Sequence, residues 1–300
     1  MNHPLHSRLA IFALLLPAFL FAQKEIAVNA VTKQMSRGEQ PGFQVTIPYG
    51  KLKEITTAYK KQLQENTKVD AKEVGGELVS NGAVNRNFSS KPFTVFSKFL
   101  ETPEGVDMTV FVTEDSVSFI SETSDADKLT ALKKSIYDFA VTQYKKIVTQ
   151  KWEVENDKLK QLKKDLEKKT SEESDNIKDI SKKEREIESY TAKIESNKNA
   201  LVSKTDQVSR QQYTVNEISD KKSPEYQLAS KNLKSYQGEK KSLEKETEKM
   251  GRKIDDNRAD IKELEFKNEE LKKQQAALKE KIDAQEAVVK AIEEELNGIK

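Results

Sequence analysis

Residues 217–230 read Glu217-Ile218-Ser219-Asp220-Lys221-Lys222-Ser223-Pro224-Glu225-Tyr226-Gln227-Leu228-Ala229-Ser230. Ser at the cap, Pro at the first helical position and an acid in the first turn form the chemistry of a helix start. The residue before a proline is driven out of helical backbone. A helix arriving from the N-terminal side therefore ends near Asp220. A connection of about four residues makes the two helices antiparallel neighbours. Pro224 is also the only proline between Ser124 and Lys300, a region rich in Lys, Glu, Leu, Ile and Gln.

Outward from this turn, apolar residues recur with the heptad spacing of a coiled coil. On the N-terminal arm, Trp152, Leu159, Leu166, Ile180, Ile187, Ile194, Leu201, Val208 and Val215 share one seam position, and Glu173 interrupts it. The companion position is mostly polar, with Lys169, Asn176, Lys183, Tyr190, Asn197, Lys204 and Gln211. On the C-terminal arm both seam positions are richer in apolar residues, through Leu233, Leu243, Met250, Ile254, Leu264, Leu271, Leu278, Ile282 and Ile292. So narrow a stripe needs a partner helix. Exposed Glu–Lys pairs contribute only about 0.2–0.5 kcal/mol each and do not account for it. An arm of about 75 residues would reach roughly 110 Å at the helical rise.

The two arms match when folded back. Pairing Leu201 with Leu243 also pairs Val208 with Tyr236, Ile194 with Met250, Leu166 with Leu278 and Trp152 with Ile292. Polar positions coincide in the same register: Asn197 with Thr247, Asn176 with Asn268, and Lys169 with Gln275. Lys204 against Lys240 is a cost unless both side chains splay to water. The rival arrangement is one extended helix that continues past Pro224 and dimerises in parallel.

Before residue 124 the chain changes character and holds most of the Phe, Gly and Pro. Glu25–Val31 and Phe43–Ile47 alternate as half-buried strands do, with a polar loop containing Gly38, Pro41 and Gly42 between them. Leu52, Ile55, Tyr59 and Leu63 have helical spacing. Asn81-Gly82 carries a hairpin-turn signal. The runs 93–100 and 106–112 flank Thr102-Pro103-Glu104-Gly105, a turn sequence, and Val117 and Phe119 suggest a last strand or strand extension. Leu129, Leu132, Ile136, Phe139, Ala140 and Ile147 form a stripe wide enough to cover a sheet. The expected fold class is α+β: a small N-terminal two-layer domain, antiparallel sheet plus helices, followed by a long antiparallel helical hairpin or coiled coil. The expected boundaries are 1–22, 23–150 and 151–300, with the hairpin turn near 220–224.

Residues 1–22 read as a cleaved secretory signal peptide: Arg8, an apolar run from Leu9 to Phe21, then Ala22 before Gln23. The run is shorter than the roughly 20 residues of a membrane span. The chain has no cysteine, and its two histidines, His3 and His6, lie in this segment. Thiol chemistry, disulfides and lipoprotein acylation are excluded, and imidazole acid–base catalysis has no residue in the mature chain. A periplasmic or secreted location follows as an expectation. Lys+Arg number 52 against 50 Asp+Glu, and the signs are interleaved. That is a solvated helix surface rather than a nucleic-acid face.

Met35-Ser36-Arg37-Gly38-Glu39-Gln40-Pro41-Gly42-Phe43, continued by Gln44-Val45-Thr46-Ile47-Pro48 and preceded by Phe21-Ala22-Gln23, resembles exported proteins of unknown function from Bacteroidetes-type bacteria that carry a C-terminal coiled coil. The resemblance covers the first third of the chain. It implies export and no particular chemistry.

Candidate sites are few. Asp255–Asp260 has a run of acids but lacks the Gly at the sixth position and the Glu at the twelfth of a calcium loop. Gly75-Gly76 is a turn or bulge, not a phosphate loop. Trp152 fits a packing role. Asp115-Ser116-Val117 resembles a short O-glycosylation motif of such bacteria, and Asn87-Phe88-Ser89 fits the N-glycosylation pattern. No catalytic, cofactor or metal residue set is legible. The expected function is a non-enzymatic scaffold or interaction protein with an unidentified protein partner, or alternatively a holdase chaperone for exported proteins; self-association is left open.

Overall fold

The computed structural model describes residues 24–86 and 88–300. The signal-peptide reading of residues 1–22 and its two histidines lie outside them. The chain divides into two compact units. One comprises the chain up to Lys158 together with Gln285–Lys300, and the other comprises Leu159–Ala284.

The elements are β1 (Asn29–Met35), β2 (Gly38–Pro48), α1 (Leu52–Thr67), β3 (Lys72–Val74), β4 (Glu77–Ala83), β5 (Phe93–Thr102), β6 (Gly105–Thr113), α2 (Ala126–Glu217) and α3 (Pro224–Gly298). The strands make one antiparallel sheet in the order β1-β2-β6-β5-β4-β3. The α+β class read from the sequence is the class observed.

Strand β6 is central, and its alternation sets both layers. Val106, Met108, Val110 and Val112 face a core shared with Ile55, Tyr59 and Leu63 of α1 and Leu132, Ile136, Phe139 and Ala140 of α2. Each of these larger apolar side chains contributes about 1.5–3 kcal/mol through burial. Burial pushes the Tyr59 hydroxyl pKa up to about 12, so the ring stays neutral within its edge-on contacts to Phe99 and Phe139.

Phe111 points to the opposite face, where it packs with Met35, Phe96 and Phe119. In a flat sheet, four steps of about 4.8 Å would hold β1 roughly 19 Å from β4. Instead, the turn after β1 touches β4: the backbone N–H and hydroxyl of Ser36 both donate to the buried Glu77 carboxylate, at 2.8 and 2.6 Å. Lys98 of β5 donates to the Gln34 carbonyl at 2.9 Å. The far half of the β1–β2 hairpin, beyond the Phe43–Val110 pair that ends the β2–β6 ladder, thus folds over the second face. Gly42 permits this, since a Cβ there would stand 2.6 Å from Cδ1 of Phe111.

Gly105 is the tightest point of the sheet. Its φ is +145°, and a Cβ would lie 2.1 Å from the Ile47 carbonyl oxygen. Gly105→Ala is expected to destabilise the sheet-containing unit by more than the about 1–3 kcal/mol of backbone strain alone. Urea denaturation followed by Trp152 fluorescence measures it, and an unchanged midpoint would contradict the placement of the β5–β6 turn against β2.

Three details depart from the sequence reading. The polar stretch 38–42 is strand, because it pairs with β1 from Met35–Gly38 onward; the turn is Ser36-Arg37. Residues 25–28 precede β1 rather than belonging to it. Asn81-Gly82 is not a hairpin turn but a bulge inside β4, with Gly82 at φ 72°. The hairpin turn is Gly75-Gly76, where consecutive positive φ values of 59° and 78° suit a tight turn between β3 and β4. Of the two readings for Val117 and Phe119, no separate strand forms; Phe119 extends the pairing by a single bridge to Thr113.

The boundary expected at residue 150 also moves. A third cluster joins Tyr144 and Val148 of α2 to Ile292 and Ile299 of α3, with Ile26, Trp152 and Leu296 around them. The last turns of α3 therefore belong to the sheet-containing unit. Tyr144 donates to Glu295 at 2.7 Å, Trp152 Nε1 to Glu293 at 3.0 Å, and Tyr137 to the Lys300 carbonyl at 2.8 Å. Burial and the neighbouring Glu295 carboxylate raise the Tyr144 pKa.

Candidate functional site

Leu159–Ala284 is built from the second part of α2 and most of α3. The helices run antiparallel, and the turn has the predicted chemistry. Ser223 Oγ accepts from the Tyr226 N–H at 3.1 Å, and Asp220 accepts from the Lys222 N–H at 2.8 Å.

Reduced exposure follows the heptad seam of each arm, and Leu159, Ala229, Met250, Ile254, Leu271 and Ile282 are buried. The polar seam positions bridge the arms. Asn176 Nδ2 donates to Asn268 Oδ1 at 2.8 Å. Gln275 donates to the Lys169 carbonyl at 3.2 Å and to Glu173 at 2.8 Å, so the acid that breaks the apolar series has a partner. Lys183 reaches Asp260 at 2.6 Å, Asn257 reaches Glu186 at 3.1 Å, and Gln211 donates to the Ala229 carbonyl at 3.1 Å. Lys204 does not meet Lys240 head-on. It bonds Glu239 at 2.6 Å and lies over the Tyr236 ring, while Lys240 turns to Glu244. Lys204 and Ser235 together hold the Glu239 carboxyl below its usual pKa.

These layers act mainly on specificity. A polar pair inside a seam costs stability but penalises every register that separates the pair. Asn268→Leu alone would strand the Asn176 amide, at about 1–3 kcal/mol. Adding Asn176→Leu is expected to restore or exceed the original stability. Urea midpoints of the two variants test this, and equal midpoints would show that the pair carries no coupling.

The singled-out motifs fall as follows. Asp255–Asp260 is uninterrupted helix, and Asp260 is engaged by Lys183. Among the described residues, no group of three or more His, Cys, Asp or Glu is placed to hold a metal. No described helix is long and apolar enough to cross a membrane. Trp152 packs and hydrogen-bonds as stated above. Ser116 sits in an exposed loop at φ 66°. Beside it, Asp115 accepts from the backbone of Val117 and Ser118, which holds its carboxyl pKa down to about 2. Asn87 lies outside the described residues. Sequence reasoning missed the buried Glu77 and Glu295, whose partners Ser36 and Tyr144 are remote in the chain. It also missed a cleft beside α1.

No protein-family profile matches the chain, and no curated protein matches it. Among solved structures it is similar to a coiled-coil segment of Smc from Pyrococcus yayanosii, at 22% identity and a TM-score of 0.25, over 53% of this chain and 86% of that one. The class of protein is defined by its two units: an α+β unit and an antiparallel coiled-coil hairpin.

Proposed function

We propose that the chain is an exported, non-enzymatic scaffold of the bacterial envelope, whose coiled-coil arm holds a protein partner. One observation carries this reading. Within Leu159–Ala284 the seam is occupied by contacts that hold two helices in one register, and the outer faces are charged and solvated. Such a segment serves as a structural element and is poorly suited to being a reaction site. Export rests on Arg8, the apolar run to Phe21 and Ala22. N-terminal sequencing of protein recovered from the cell envelope should begin at Gln23; a retained Met1 overturns export with cleavage. Photo-crosslinking in living cells from the exposed positions Tyr213 and Phe266 should give one stoichiometric protein adduct. Absence of any adduct at either position overturns the scaffold reading.

The holdase alternative has one observation in its favour, the exposed apolar residues Val202, Tyr213, Leu228 and Phe266. They are single side chains spread along the arm, which is ordinary for a surface and offers no continuous apolar cradle. Equimolar protein is expected not to suppress aggregation of a denatured porin. Suppression would put the holdase first.

A further inference from the structure

We propose that the cleft between α1 and the first turns of α2 binds a neutral aromatic molecule of one or two rings bearing a hydrogen-bonding substituent. This goes beyond the scaffold reading and does not depend on it. The cleft encloses about 390 Å³, within the range of about 300–1,000 Å³ for small-molecule sites. Its floor is Val95, Val110 and Val112 of β5 and β6, and its walls are Tyr59 of α1 and Leu132 of α2. Phe88 and Phe93 close one end, edge to face with centroids 4.8 Å apart.

The shape and charge of the mouth select the ligand. Three aromatic side chains, Tyr59, Phe88 and Phe93, line the slot, and a further ring pairs favourably with such rings in offset or edge-to-face contact. Gln62, Asn66 and Ser135 bring two amides and a hydroxyl to the rim, polar groups that can orient a ligand over the apolar floor. The mouth also carries Lys134 and Asp138, and these bond each other at 2.9 Å. Together they give the mouth no net charge, so an ionic head group gains little attraction there while losing hydration on entry to the floor.

Full-length protein with 13C-labelled valine and leucine methyls, titrated with 2-naphthol, tests the proposal. Nuclear Overhauser contacts are expected from the probe to the methyls of Val95, Val110 and Val112. Ser135→Trp, at an exposed position on the rim, is expected to weaken binding at least tenfold without moving the melting temperature. The anionic analogue 2-naphthoate is expected to bind at least tenfold more weakly than 2-naphthol. No binding up to the solubility limit, contacts confined to other parts of the chain, or equal affinity of the anion would overturn the proposal. The wild-type contacts decide the matter even if the tryptophan variant proves unstable.

Discussion

Ile292→Ala is expected to destabilise the sheet-containing unit by about 2–5 kcal/mol, the cost of a large-to-small change in a filled core. Ile292 is 0% exposed and packs with Tyr144, Val148 and Ile299. Removing its outer carbons leaves a cavity lined by side chains from both helices, and Tyr144 cannot collapse into it without loosening its bond to Glu295. Trp152 is the chain's only tryptophan and borders this cluster, so its fluorescence follows unfolding at the affected place. The comparison is Ile177→Ala, at a residue 51% exposed, which is expected to fall within about 0.5 kcal/mol of wild type. A loss at Ile292 no larger than at Ile177 would falsify the assignment of Gln285–Lys300 to the sheet-containing unit. The same reasoning predicts that a chain ending at residue 284 melts well below the intact protein, because Tyr144 and Val148 lose their cover.

That boundary was hidden from the sequence for a physical reason. Ile292, Leu296 and Ile299 continue the heptad phase of the seam without a break. Periodicity reports that a helix face is apolar; it does not report whether the neighbour is one helix or a helix plus Ile26 of the segment before β1. The hairpin, in contrast, was legible, since each signal for it is local or periodic: the cap at Ser223, the proline after it, and polar seam positions that coincide in the folded-back register. Turn chemistry gave mixed results. Asn81-Gly82 carried the hairpin signal, yet the turn formed at Gly75-Gly76, read only as a turn or bulge, and Gly82 took a bulge. The Ser36–Glu77 bond and the cleft depend on how far the sheet curls, which accumulates over many residues and leaves no local pattern. On α1, helical spacing located Ile55, Tyr59 and Leu63 in the core, whereas Leu52, the first of that series, is exposed at the start of the helix.

Joining residues 201 and 243 is expected to stabilise the arm by about 4 kcal/mol, because closing that loop removes entropy from the unfolded chain. The substitutions Leu201→Cys and Leu243→Cys introduce the only two thiols, since the natural sequence has none. Both positions are seam positions of low exposure. The polar bonds on either side, Lys204–Glu239 and Lys183–Asp260, hold the register that brings them opposite each other. A short bifunctional maleimide tolerates small errors in their separation better than a disulfide, whose geometry is narrow. The expected product is a monomer linked within one chain, migrating faster than the unlinked protein on a denaturing gel, with a raised urea midpoint. A helix continuing past Pro224 and pairing in parallel with a second copy would place residue 201 of one chain against residue 201 of the other. It would yield only covalent dimers, whose abundance falls on dilution. Linkage within one chain does not depend on protein concentration, so a dilution series separates the two folds even where both products form.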